Sequence, residues 1–165
     1  MFQITAANEA DIDAVAHLAE ISGLSPWGCD DYTQAVYSKD RLLLVARNDS
    51  DEVFGFIFVQ LLRPSAEAVD VEILNIAVDP SLKRKGIGRC LVAAALENSG
   101  IGSESKVLLE VRASNHSAIG FYKHLGFHEQ AVRRSYYSDP VEDAILFGAN
   151  ADEVRSRLNS VSPHR

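Results

Sequence analysis

Cysteine is scarce in this chain. Two occur in 165 residues, Cys29 and Cys90, with no CxxC spacing and no histidine partner nearby. That excludes a disulfide framework and a cysteine–histidine metal centre, and both read as small, partly buried apolar residues. Long hydrophobic runs are also missing. The longest, Val53 to Leu62, falls far short of the roughly 20 residues of a membrane span. The N-terminus, MFQITAANEAD, has neither the basic nor the apolar region of a signal peptide, so a cytoplasmic location is expected. Positive charge is in deficit, with a formal net charge of −7. A basic nucleic-acid-binding stripe is therefore not expected, and an acidic balance suits cationic substrates such as amines or basic peptide tails.

What is present is ordinary for one globular domain: 47% hydrophobic and 24% charged residues. A single domain over 1–165 is expected, with a disordered tail from about 159 to 165. Phe2 to Thr5 reads as a strand. Asn8 caps a helix with Asp11 three residues on, an apolar stripe of Ile12, Val15, Ala16 and Ala19, and Gly23 at its end. Ser25-Pro26-Trp27-Gly28 is a loop carrying the only tryptophan, either an anchor for the loop or a wall of a substrate site. A short helix over 30–38 follows. Strands over 41–47, 53–62 and 69–78, joined by short turns, suggest an antiparallel meander. Ile87, Cys90, Leu91, Ala94 and Ala95 recur at helical spacing. After them come a strand, KVLLEV, a helix over 115–125 ended by Gly126, strands over 127–137 and 143–147, and a terminal helix over 151–158. The fold class is α/β (α+β).

The stretch Asn75 to Arg89, NIAVDPSLKRKGIGR, is the chemical signal. An apolar strand ends at Asp79-Pro80, a basic turn follows, and Gly86-Ile87-Gly88 opens a helix. The first amides of a helix have no intrahelical partner and sit at the positive end of its dipole. Together they read either as an anion site, with a diphosphate as its natural guest, or as a solvated basic turn before a glycine-started helix, since a bare GxG after a basic run does not separate the two. Neither GxxxxGK[ST] nor a complete GxGxxG is present.

The run KRKGIGR after NIAVDP resembles the pyrophosphate-binding loop of the GNAT superfamily of N-acetyltransferases, written Q/R-x-x-G-x-G/A. The segment LLEVRASNHSAIGFYKHLGF, with Val132 to Tyr137 and Glu142-Asp143-Ala144, is similar to its RimI-like, ribosomal-protein-alanine branch. Lys83 departs from the pattern, standing where Gln or Arg is usual. The resemblance implies a mixed, mostly antiparallel central sheet flanked by helices. A splay is expected between the third long strand and the parallel strand after it, where the pantetheine arm of acetyl-CoA would enter. It also implies cofactor contacts from Ile76, Ala77, Val78, Arg84, Lys85, Gly86, Ile87, Gly88, Arg89 and Asn115.

Glu110 lies inside an apolar strand, on one face with Leu108 and Arg112. It is either paired, with Arg112 or another cation, or functional. The family role is general base, because acetyl transfer needs a neutral amine and a peptide α-amine has a pKa of roughly 7.7–8.0. Tyr122 is either a core aromatic or, by the resemblance, the general acid that protonates the departing thiolate. Asn115 also reads as an ordinary N-cap, which is compatible with a cofactor role. Trp27, Tyr136 and Tyr137 are candidate walls of the acceptor site. Adjacent residues of a strand face opposite sides, so at most one tyrosine is expected in a given cleft. His116, His124 and His128 lack metal-ligand spacing, and no metal is expected.

The leading expectation is acetyl transfer from acetyl-CoA to a protein N-terminus, an N-terminal alanine of a small-subunit ribosomal protein, by direct attack within a ternary complex. The enzyme would act as a monomer, without nucleic acid or membrane. The rivals are acetylation of a small amine or a lysine, and a non-catalytic acetyl-CoA-binding module. The joint presence of Glu110 and Tyr122 favours an enzyme.

Overall fold

The computed structural model describes residues 1–24 and 27–160. Ser25, Pro26 and most of the expected tail therefore lie outside the described residues. Among those described, seven strands and five α-helices make a mixed α/β fold. The chain forms two compact units, one from Met1–Leu62 with Ile73–Gly100 and one from Arg63–Glu72 with Ile101–Arg165.

The first unit contains β1 (Phe2–Ala6), α1 (Ile12–Ile21), α2 (Cys29–Tyr37), β2 (Arg41–Asn48), β3 (Val53–Leu62), most of β4 (Asp70–Val78) and α3 (Ile87–Asn98). β1 pairs antiparallel with β2, and β2 with β3. LLVAR of β2 and GFIFV of β3 are continuously buried. Tyr32, Phe56, Phe58, Val45 and Val15 pack with them into the core. Asn8 caps the short 3-10 turn Glu9–Asp11, which leads into α1, and Asp11 returns the bond to the Asn8 N–H at 2.9 Å.

Two buried polar side chains of this unit, Asn75 and Arg47, tie its elements together. Asn75 Nδ2 donates to the Tyr32 hydroxyl at 3.0 Å, which ties β4 to α2. Arg47 meets Asp11 at 2.7 Å, with side-chain exposures of 7% and 6%. The same guanidinium donates to Thr5 Oγ1 at 3.1 Å and to Asp51 Oδ1 at 2.7 Å. It thereby joins β1, the α1 entry and the β2–β3 turn.

The second unit contains the first residues of β4, β5 (Lys106–Arg112), α4 (His116–His124), β6 (His128–Ser138), β7 (Val141–Asn150) and α5 (Ala151–Asn159). β5 and β6 both pair antiparallel with β7, which lies between them. Val107, Leu109 and Val111 are buried, and Leu108, Glu110 and Arg112 share the less covered face. Gly126 takes φ +89 after α4, and a Cβ there would sit 2.9 Å from Glu153. Both its conformation and its space favour glycine.

Three sequence expectations need correction. Cys29 and Cys90 are exposed, not partly buried. In α3 the buried residues are Ile87, Leu91, Val92, Ala95 and Leu96, so the covered face is turned away from Cys90. In α1, Leu18 takes the core position expected of Ala16. The terminal helix also runs through Asn159, with Ser160 at its C-cap, so it includes the start of the expected tail.

Arg47→Met leaves the Asp11 carboxylate buried without its cation, a change that costs about 3–5 kcal/mol. The urea unfolding midpoint of the variant is expected to fall accordingly. A midpoint within error of the unsubstituted protein would show that the pair contributes nothing.

Candidate active site

In the first unit, β4 ends at Val78 and the chain turns at Asp79. Its Oδ1 accepts from Ser81 N–H at 2.8 Å and from Ser81 Oγ at 2.6 Å. These bonds hold the Asp79 carboxyl below the usual range. A 3-10 turn over Pro80–Leu82 leads to Lys83, Arg84 and Lys85, all exposed. Arg84 and Gly86 take positive φ, +63 and +80. Gly86 is the N-cap of α3 and supplies no side-chain hydrogen bond to the first turn, whereas Asn115 caps α4 and Asn150 caps α5. The opening amides of α3, around Ile87, Gly88 and Arg89, therefore have no side-chain cap. Such amides, with three cationic side chains beside them, fit a diphosphate.

Ile76, Ala77 and Val78 end β4, with Ala77 buried. Gly55 on β3 lies close by, and a Cβ there would come within 3.2 Å of the Ala77 carbonyl. Trp27 is half-buried, edge-on to Phe58 at 5.5 Å, with the Arg41 guanidinium 5.7 Å from its ring centre. Of its two expected roles, these contacts are those of an anchor.

In the second unit, Glu110 is paired, but not with Arg112. Its Oε1 meets Arg133 NH1 at 3.0 Å, with Glu110 19% and Arg133 52% exposed. Arg112 instead meets Glu142 at 3.3 Å and lies over the Tyr137 ring at 3.9 Å. Glu142 also accepts from the Ser114 N–H at 2.6 Å, and hydrogen bonding from the Ser114 side chain first, and from its backbone second, lowers the Glu142 pKa. Burial raises the Tyr137 pKa, and the nearby Glu110 adds to the shift. Asn115 Oδ1 accepts from the Ala118 N–H at 3.1 Å, so it is an N-cap. Tyr122 is buried, between Phe121 at 5.2 Å and Phe127 at 5.4 Å. Among the described residues its hydroxyl makes no hydrogen bond. Burial pushes its pKa well above the ordinary phenol value, so it stays protonated at neutral pH.

Tyr136 and Tyr137 depart from the expected alternation. Their rings meet edge to face at 5.2 Å, because β6 is irregular between Arg133 and Tyr137. Sequence reasoning also missed Glu72, Arg133 and Asp143. Glu72 has the signal that singled out Glu110, an acid within an apolar strand. It is half-buried, and its carboxyl is shifted upward by burial first and by the charge of Glu110 second, with Arg133 opposing. Among the described residues no three His, Cys, Asp or Glu side chains gather as a metal site, and no helix is long and apolar enough to cross a membrane.

The model for the acetyltransferase (GNAT) domain matches residues 39–129. A ribosomal protein bS18-alanine N-acetyltransferase of Escherichia coli K12 is 32% identical over 88% of this chain and 95% of its own. An N-alpha-acetyltransferase of Sulfurisphaera tokodaii is 30% identical over 90% of this chain and 92% of its own. The crystal structure of the ribosomal-protein-S18-alanine N-acetyltransferase from Escherichia coli superposes with a TM-score of 0.76 at 29% identity, covering 92% of this chain and 94% of that one. The chain belongs to the GNAT acetyltransferase family, and within it is RimI-like. It is an enzyme, an N-acetyltransferase.

Glu72 gives a stability test. A carboxyl whose folded pKa is raised favours folding below its unfolded value, near 4.3, and loses that contribution as pH rises through the folded value. Glu72→Gln removes the ionised group, so the variant should melt higher than the unsubstituted protein at pH 7. The gain should close below about pH 4, where both states bind the proton. Thermal melts at the two pH values check this, and a lower Tm at pH 7 would contradict it.

Proposed function

We propose that this enzyme transfers the acetyl group of acetyl-CoA to the N-terminal α-amine of a protein, with the N-terminal alanine of a small-subunit ribosomal protein as its acceptor. The observation that carries the acceptor class is the 32% identity to the ribosomal protein bS18-alanine enzyme over 88% of the chain. Residues 1–165 act as one N-acetyltransferase domain in this reading, in the cytoplasm, where nascent N-termini are made.

Acetyl-CoA supplies the acyl group as a thioester. The amides of Gly86 to Arg89, with Arg84 and Lys85, take its diphosphate, and Ile76 to Val78 take its arm. Glu110 is the general base. Oε1 is held by Arg133, and Oε2 makes no hydrogen bond among the described residues, so it is available to the ammonium or to a bridging water. It accepts one proton from the ammonium, whose neutral nitrogen then forms the new bond to the acyl carbon; as the carbon–sulfur bond breaks, the nitrogen gives up its second proton to water and becomes the amide nitrogen. Tyr122 keeps its proton at neutral pH and holds it for the departing sulfur. Tyr136 and Tyr137 are the acceptor's walls, and Trp27 serves as the anchor of its loop.

Mass spectrometry of ribosomal proteins and N-terminal-alanine peptides incubated with enzyme and acetyl-CoA should find acetyl on the α-amine. Acetyl only on lysine or on small amines would refute the acceptor class.

Glu110→Gln removes the proton acceptor. Turnover at pH 7 should fall roughly 10²-fold or more. The deficit should narrow as pH passes the amine pKa of about 8, where the free amine no longer needs a base. The KM for acetyl-CoA should not move. Unchanged turnover would remove Glu110 from this role.

A further inference from the structure

β6 contains extra chain that β7 does not. From Arg133, opposite Ala144, to Tyr137, opposite Glu142, β6 takes four steps while β7 takes two. Ser135 in the middle stands at φ +48, a conformation that costs a non-glycine residue roughly 1–2 kcal/mol. It is held from the neighbouring strand. Asp143 Oδ1 accepts from the Ser135 N–H at 2.8 Å, and Oδ2 accepts from Arg134 NH1 at 2.8 Å. The backbone carbonyl of Asp143 accepts from the Ala113 N–H at 3.0 Å, so the same residue is fixed to the end of β5.

The irregularity cancels strand alternation. Tyr136 and Tyr137 would otherwise point to opposite faces, yet their rings touch at 5.2 Å and 85°. Tyr137 covers the Arg112 guanidinium at 3.9 Å, and Tyr136 lies 5.4 Å from that of Arg133, the partner of Glu110. We propose that Asp143 is a positioning residue for the acceptor: by capping the Ser135 amide it fixes the bulge that sets Tyr136 and Tyr137 side by side next to Glu110. The first residues of the acceptor then meet two rings rather than one. This rests on the reading of the two tyrosines as acceptor walls.

The test uses the full chain and the acceptor identified by mass spectrometry, with both KM values measured. Asp143→Ala should raise the acceptor KM roughly tenfold, the scale of one lost charge-assisted hydrogen bond, and leave the KM for acetyl-CoA in place. Asp143→Asn keeps an accepting oxygen for the Ser135 amide and should raise it less. Adding Ser135→Gly to Asp143→Ala should recover part of the loss, because glycine holds positive φ without support.

An unchanged acceptor KM in Asp143→Ala, with Tyr136→Ala or Tyr137→Ala raising it, overturns the positioning role and leaves the tyrosines in place. Both KM values rising together also overturns it, since that is general loosening. If neither tyrosine variant changes the acceptor KM, the acceptor-wall reading fails, and the role of the bulge with it. Should Asp143→Ala not fold, Asp143→Asn decides: a selective rise in acceptor KM that Ser135→Gly reverses supports the role, and no rise ends it.

Discussion

A charge inside a sheet must find a partner, and the exposure of the pair decides what it can do. Arg47 and Asp11 are both closed off from water, and the arginine is bound on three sides. Opening that pair would strand a buried charge, so it is a brace for the first unit. Glu110 and Arg133 have a similar separation, 3.0 Å, but Arg133 is half in water. Solvent can take over either partner at modest cost. One carboxylate oxygen is also left without a hydrogen bond. A pair of this kind orients a carboxylate without consuming it, which is the property a proton acceptor needs.

The second unit repeats this logic in layers. Glu142 is committed to the Ser114 amide and Arg112, Asp143 to the Ser135 amide and Arg134, and Glu110 to Arg133 alone. Among the described residues Glu72 forms no ion pair, and burial with the Glu110 charge raises its pKa against the opposing charge of Arg133. Two neighbouring carboxyls share one guanidinium, so the group is short of positive charge by design of its backbone. A cationic amine is the guest whose charge would relieve that shortage.

Much of this was legible in the sequence where one local rule governs. Sequence and structure agree on both ends of β3, because a mostly apolar run bounded by two turn-forming stretches reads as a strand. The α3 entry is legible because Gly86 follows a basic turn, and Gly126 because helices commonly end on a left-handed glycine. Glu110 is conspicuous as an acid among aliphatics, although its partner is not, since Arg133 reaches it across the sheet from β6. The β6 bulge has no local signal. Ser135 is not a glycine, and what holds it is a side chain on another strand. The exposed Cys90 follows from helix rotation, which its apolar neighbours alone could not set.

The distribution of charge completes the argument for a two-substrate enzyme. The chain as a whole is acidic, at −7, which favours a cationic N-terminus and opposes a polyanionic cofactor. Lys83, Arg84 and Lys85, beside uncapped α3 amides, answer that opposition locally, because fields between exposed charges decay over about 8–10 Å at ordinary salt. An enzyme that must hold a diphosphate and a protonated amine at once can therefore do so without a compromise in net charge, provided its cations are confined to the loop. Arg133 and Arg112 do not break this rule, since each is matched by a carboxylate.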